Sequence, residues 1–564
     1  MKRDLAALSG RKFQIVVVGG GIFGAAIARD AAHRGLSVAL VEKGDFMSAA
    51  SGNSYRMVHG GIRYLQHGDV ARVRATSRER RILLTTAPHL VAPLPIAIPT
   101  YGRGMQGKSV LRAGLMAYDL LTFDRDRGIG DADRRLPPSR MMSRSELERM
   151  FPGVEREGLT GAGVFADAQL LHPQRLGIAA LQSAVAEGAV VANYVEATGV
   201  DVRQGRVRTL AARDALTGDA FEIEADVVVV AAGAWSERLL ASGAGIEEGE
   251  PSTFSRDLCL VVNRPAEETG LAVLGGTSDP DAVLSRSKRH LFVVPWRGRS
   301  IVGVWHIPYE RSPDDIRVAT AELQSFVDEF NRGYPGFQLR RDEITHYNTG
   351  LVLFGKNRPG AQDLRYGHRS AVTDHGREHG VDGLFTLIGV RYTTARVEAE
   401  ALLDDVVKGR GWSSAPCATA TTALFGGDIA CLSDLKREYR GRWPAIDEAA
   451  IDRLSMHYGT NAPSVIDAEG DAPVSARDVL PRTIRHAIRE EMAQTLEDVI
   501  VRRTDLGLFS APQPSLLRSV AEVMAEAMGW DDARVEAEIG DVGAAYPLAS
   551  EAGEPGRVPV DLGA

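Results

Sequence analysis

Apolar residues run unbroken from Ile15 to Val18, as a parallel strand buried on both faces requires. Small residues follow at Ala28, Ala32 and Gly35 along one side of a predicted helix, and "SVALVE" reads as a second strand. Residues 66–150 then read as mainly helical and basic. Within them "DVARVRATSRERRILLTTAPHL" carries five arginines among Val70, Val73, Ile82 and Leu83, the pattern of a solvated helix face or of a contact with anionic membrane. "GKSVLRAGLMAYDLLTF" is strongly apolar with basic flanks and too short to span a bilayer, so it suits a core helix or an interfacial one. "RRLPPSRMMSRSELERMFPG" predicts a loop and a short helix capped at Ser143 or Ser145.

Strand patterning returns at "GAGVFADAQLL", helical patterning at "HPQRLGIAALQSAVAEG", and a hairpin at "RQGRVRTLAARDALTGDAFEIEADVVVV". A sheet is expected from Asp257 to Phe354, in "DLCLVVNRP", "RHLFVVPWRGRSIVGVWH" and "ITHYNTGLVLF". "VDGLFTLIGVRYTTARVEAEALLDDVV" gives a strand, a turn at Gly389 and an amphipathic helix. After a linker near "KGRGWSSAPCATATTALFGGD", one helical stripe joins Ile484, Ile488, Met492, Leu496 and Val499, and "LLRSVAEVMAEAMGW" forms another. These stripes are core, and the last ~150 residues read as a helical domain of ordinary size.

Composition narrows the class. A chain of 564 residues exceeds one core, and 44% apolar with 25% charged residues is ordinary for a globular protein. The net charge of −8 argues against nucleic acid as a partner. Cys259, Cys417 and Cys431 form no metal-ligand spacing, so no metal is expected, and they fit a reducing compartment. "MKRDLAALSGRK" lacks the apolar core of a signal peptide. The expected location is cytoplasmic, or peripheral on the inner face of the cell membrane.

The chemistry begins at "VVVGGGIFG". Gly19, Gly21 and Gly24 form G-x-G-x-x-G: the first permits a tight turn, the second a close approach to pyrophosphate, the third close packing of helix on strand. The helix N-terminus adds an anion site, and Glu42, ending the second strand, can accept from a ribose diol. That acid disfavours a phosphorylated ribose. "ADVVVVAAGAWS" reads as the strand that returns to a nucleotide domain, with a small-residue turn at Ala232 and Gly233. About 180 residues separate the two, too many for a simple crossover, so a domain is inserted. With no second glycine motif, FAD is the expected cofactor. The fold class is α/β: an FAD-binding Rossmann-like domain with an inserted antiparallel-sheet substrate domain and a C-terminal all-α domain. The expected boundaries are 1–90, 151–245 and 356–415 for the FAD-binding parts, 91–150 for a helical insertion, 246–355 for the substrate domain and 416–564 for the helical domain.

Over nearly its whole length the chain resembles the FAD-dependent glycerol-3-phosphate dehydrogenase and oxidase family. The specific segments are "VHGGIRYLQ", "APHLVAPLPIAIP", "YDLLTFDR", "FVVPWRGRSIVG", "YTTAR" and "HAIREEMAQTLEDVIVRRTDLG". The resemblance implies a p-hydroxybenzoate-hydroxylase-like fold and oxidation of sn-glycerol 3-phosphate to the ketone, with electrons passed to quinone or oxygen. It implies a small anionic or phosphorylated substrate, His59 as base, Arg63 and Arg391 on the anion, and Tyr64 beside them. Ser51 and Ser54 lie in the flavin loop, and Gly389 and Thr393 in the turn facing the flavin. A peripheral membrane contact and a homodimer are both allowed.

Departures touch the substrate side. The family's S-G-V-R-P-L, whose arginine binds phosphate, becomes "TGLVLF", with Val352 at the arginine position. Losing that cation costs about 1.5–3 kcal/mol unless replaced; Lys356 and Arg358 are the nearby replacements. The family's G-T-T-D becomes "GVWH", so Trp305 and His306 are expected to reshape the pocket. A family histidine aligns roughly with Cys259. Two alternatives therefore stand: an FAD enzyme for a different small alcohol or amine, and a non-catalytic FAD-binding protein.

Overall fold

The computed structural model describes residues 1–104, 106–246, 253–278, 288–353, 370–470, 474–546 and 548. One sheet runs in the order Ala371–Asp374, Leu384–Ile388, Ala220–Val230, Phe13–Val18, Val38–Val41, Val190–Ala192. Its centre is parallel, with Val16 beside Ala39 on one side and Val228 on the other. The continuous valine run has the cause expected of it: both faces are covered. Helices Ile22–His33, Pro173–Ala186 and Ala395–Arg410 contribute to one core. On the other face, Val16, Val18 and Val228 join the antiparallel strands Val195–Arg203 and Arg206–Asp214.

The second sheet runs Ile344–Leu353, Phe254–Val262, Arg299–Tyr309, Lys288–Trp296, Gly270–Ser278, Val91–Tyr101, Leu159–Leu170, Met57–Val58, with Arg140–Ser143 beside the Leu159 strand. The substrate sheet is thus wider than residues 246–355. The expected helical insertion at 91–150 begins with an eleven-residue strand, and the segment assigned to the nucleotide domain at 151–170 supplies that strand's partner. Pro93, Pro95 and Pro99 hide the first of these in sequence, because proline argues against a central strand. All three fall on one parity, opposite Ala168, Ala166 and Ala162.

The C-terminal region is helical, with two cores, one around Tyr439, Trp443 and Ile451 and one around Ile484, Leu496 and Val520. The single helical stripe expected from Ile484 to Val499 is broken. Helix Ala476–Glu491 ends as Met492 takes φ 57°, and a π-helical turn follows at Asp498–Arg503. The Asp498 carboxylate accepts from the backbone N–H groups of Gln494 (2.8 Å) and Thr495 (3.1 Å), restarting the chain after the break. Buried ion pairs fasten this region to the rest. Asp45 accepts from Arg502 (2.6 Å) and Arg503 (2.7 and 2.8 Å), and Arg175 meets Glu491 at 2.6 Å. Among the described residues no helix is long and apolar enough to cross a membrane.

Candidate functional site

A cavity of about 1790 Å³ runs between the two sheets. Pockets for drug-sized ligands span roughly 300–1,000 Å³, so there is room for a cofactor and a substrate together. Gly19, Gly21, Glu42, Ser51, Ser54, Ala232 and Gly233 line it, as do Gly389, Arg391 and Thr393. Gly19 sits at φ +111°, and a Cβ there would lie 2.6 Å from the Ala231 carbonyl oxygen, so the turn admits no side chain. Gly24 lies off the cavity, packed on the Gly19 carbonyl as the motif requires. The Glu42 carboxylate accepts from the N–H groups of Gly20 (2.6 Å) and Gly44 (2.9 Å), and burial raises its pKa. Ser51 Oγ accepts from Ile22 N–H at 3.0 Å, pinning the loop to the helix start. Over the same end, Asp314 accepts from Trp235 Nε1 (2.6 Å) and meets Lys43 (3.2 Å), whose ammonium lies 4.2 Å from the Trp235 ring centre. The hydrogen bond from Trp235 is the first cause holding Asp314 down at about 2.

His59 follows the two-residue strand Met57–Val58. Its side chain is half exposed to the cavity, and Nδ1 lies 3.4 Å from Asp167 Oδ2. Asp167 is buried within strand Leu159–Leu170 and also accepts from Gly60 N–H and from Arg80, both at 2.6 Å. Burial alone would raise the Asp167 pKa; the His59 hydrogen bond and the Arg80 charge outweigh it and hold the group ionised below its usual range. Arg80 is wholly buried and also donates to the Ala166 carbonyl (2.7 Å) and Tyr118 Oη (3.1 Å). Gly61, at φ +86°, turns the chain into the short helix Ile62–Leu65 against Thr76. Arg63 and Tyr64 on that helix line the cavity, with Arg391 and Arg72 lying 5.1 and 5.0 Å from the Tyr64 ring centre.

The sheet side differs. Asp257 and His306, paired across neighbouring strands, meet at 2.6 Å from Oδ1 to Nδ1, and Ser255 Oγ donates to the same oxygen at 2.9 Å. Val352 and Cys259 line this side as well.

The arrangement suits a dinucleotide cofactor lying beside a histidine–aspartate pair. A family model described as FAD dependent oxidoreductase matches residues 14–391, two thirds of the chain. The chain belongs to that family. It is a flavoenzyme with FAD as cofactor, and a second model, the C-terminal domain of alpha-glycerophosphate oxidase, matches residues 417–535. The flavoenzyme is 29% identical over 558 residues to a glycerol-3-phosphate dehydrogenase of Synechocystis sp., covering 95% of this chain and 97% of that one. It is 27% identical to an aerobic glycerol-3-phosphate dehydrogenase of Staphylococcus aureus, covering 93% of each. Among solved structures, the FAD complex of a Bacillus halodurans glycerol-3-phosphate dehydrogenase shares the fold, with TM-score 0.73, 23% identity and 96% of each chain covered.

Of the residues expected at the flavoenzyme's site, Trp305 points elsewhere. It stacks on Phe326 at 5.4 Å, in a core with Leu258 and Val302. A register shift between Leu258 and Leu260 explains this: the bulge reverses the alternation, so Val304 and His306 face the cavity and Trp305 does not. Lys356 and Arg358 lie outside the described residues. Sequence reading missed Asp167, Arg80, Arg72, Asp257 and Asp314. The signal for Asp167 was an acid inside an otherwise apolar, small-residue strand, since a buried acid needs partners. The five arginines of helix Val70–Thr86 are not one solvated face: Arg80 is buried, Arg74 and Arg81 both bind Asp124, Arg72 faces the cavity and only Arg78 is exposed.

Proposed function

We propose that this flavoenzyme oxidises the secondary alcohol of sn-glycerol 3-phosphate, or of a closely related phosphorylated or anionic polyol, to the ketone. The observation that carries the reading is a histidine backed by a buried carboxylate in the same cavity as the arginine cluster of Arg63, Arg72 and Arg391. The Synechocystis and Staphylococcus relatives support this substrate. With Nδ1–H donated to Asp167, His59 presents Nε2 to the cavity as the atom that takes the hydroxyl proton. Asp167 stabilises the imidazolium that results, and Arg80 keeps Asp167 ionised. Arg63 and Arg391 bind the anion, because guanidinium matches phosphate oxygens in pairs. Bound FAD supplies the hydride acceptor at N5. Ser51, Ser54, Gly389 and Thr393 are assigned to holding it, and Glu42 to the ribose.

A second reading, a different small alcohol or amine, rests on the sheet side, where Val352 carries no charge and Asp257 is acidic. For electron transfer onward, quinone at a membrane surface is the favoured acceptor. Met116, Leu120 and Phe123 are 64%, 75% and 78% exposed at or just after helix Lys108–Leu121, while Val110, Leu111 and Gly114 of the same helix line the cavity. Anaerobic mixing with sn-glycerol 3-phosphate tests the substrate: bleaching of the visible flavin band is expected. No bleaching at saturating substrate rejects the leading reading, and bleaching by an uncharged alcohol or an amine alone selects the second.

A further inference from the structure

The cavity's two sides differ in charge. The sheet contributes Asp257 with His306 on it, neutral Val352 two registers along, opposite Ser255, and a cation, Arg56, buried over Trp296 and donating to Asn348 Oδ1. The helices contribute Arg63, Arg391 and Arg72 around one tyrosine ring. An anion placed against the sheet would meet the Asp257 carboxylate; against the helices it would meet three guanidinium groups around a ring, with the one carboxylate named there, Asp69, held on the Nε of Arg72.

Arg72 is aimed there by its place on helix Val70–Thr86. Residues 72, 76 and 80 lie one above another at i, i+4, i+8. Arg80 holds Asp167, Thr76 backs Gly61, and Arg72, the third of the ridge, reaches over Tyr64. Thr76 Oγ1 donates to the Arg72 carbonyl at 2.7 Å, and Asp69 caps the helix by accepting from Arg72 N–H at 3.1 Å. Asp69 Oδ2 also meets Arg72 Nε at 3.2 Å, steadying the fork on its inner edge. The three guanidinium groups share one field. Burial is the first cause of the lowered Arg391 pKa, and the charges of Arg72 and Arg63 push it the same way.

We infer that Arg72 is a specificity-determining residue that completes an anion grip with Arg63 and Arg391, seating the substrate's phosphate or other anionic group among the helices instead of on the sheet. The inference rests on the proposed anionic substrate. It accounts for Val352: a cation on the sheet is dispensable when a third guanidinium lies on the other side.

The test is a 31P NMR titration of the FAD-loaded enzyme with inorganic phosphate, which needs no turnover. Loss of one charge-assisted contact in Arg72→Ala should raise the phosphate Kd about tenfold to a hundredfold. Arg72→Lys, which keeps the charge and loses the fork, should fall between, and Arg78→Ala on the exposed face of the same helix should match wild type. A Kd for Arg72→Ala or Arg72→Lys equal to wild type, with FAD content retained, overturns the inference, as does an equal effect of Arg78→Ala. Competition by sn-glycerol 3-phosphate separates the two levels. If phosphate binding depends on Arg72 yet the ester neither competes nor bleaches the flavin, the anion grip stands and the proposed substrate falls.

Discussion

Replacing Asp167 by asparagine removes the charge at the centre of a cluster in which Asp167 and Arg80 are buried and His59 opens to the cavity. The carboxylate meets Arg80 and the Gly60 N–H at 2.6 Å and His59 at 3.4 Å, and neither it nor Arg80 reaches solvent. Removing one partner of a buried pair leaves the other charge uncompensated, at a cost of about 3–5 kcal/mol. Urea unfolding of the FAD-loaded enzyme should show that loss, and kcat/KM should fall roughly 10²–10⁴-fold as His59 loses its tautomer and its counter-charge. The pH dependence has a definite sign. The folded pKa of Asp167 lies below its ordinary value. Its contribution to stability is therefore complete above the ordinary aspartate range and disappears as pH falls through the lower folded value. The wild-type advantage over Asp167→Asn should narrow over that same acid range. A paired replacement, Asp167→Leu with Arg80→Met, should recover most of the stability without recovering kcat/KM, because it removes both charges but not the need to orient His59. A loss below ~1 kcal/mol in Asp167→Asn, or full activity in the paired variant, would refute the reasoning.

Asp45→Asn should unfasten the C-terminal helices at a cost of about 3–5 kcal/mol, read as faster proteolysis near Arg502 and Arg503, because both arginines lose their shared carboxylate. The Arg503 and Arg502 charges overcome the effect of burial and hold Asp45 well below its ordinary pKa, so this difference too should shrink only under acid conditions. Gly19→Ala forces a residue with φ +111° against the Ala231 carbonyl; about 1–3 kcal/mol of strain should appear as weaker FAD retention, followed by flavin fluorescence on dilution. Val352→Arg should leave the KM for a phosphorylated substrate within about twofold, since the new guanidinium reaches Asp257, a diagonal neighbour across the strand pair; a tenfold fall in KM would place the anion on the sheet instead.

The readable part of the site is the part built from neighbours in sequence. Strand, glycine turn, helix and terminal acid lie within one short stretch, so the residue types at 19, 21 and 42 carry their own explanation, and the structure puts all three on the cavity. His59 and Arg63 stand out through one compact segment for the same reason, and both line the cavity. What sequence patterning could not supply was register and pairing over distance. Trp305 and His306 are adjacent, and only a bulge near Leu258 decides which of them faces the cavity. Val91–Tyr101 is a strand because Leu159–Leu170 pairs with it on one side and Gly270–Ser278 on the other, and its prolines point the reader elsewhere. The arginines of the Val70 helix make the point most sharply. They are alike in chemistry and close in sequence, yet one holds the carboxylate behind His59, two share Asp124, one lines the cavity and one faces solvent. A guanidinium's role depends on the partner brought to it, and the decisive partner here, Asp167, comes from a strand more than eighty residues away. Composition therefore identifies a basic helix, while the long-range pairing of Arg80 with Asp167 ties that helix to the cavity histidine, His59.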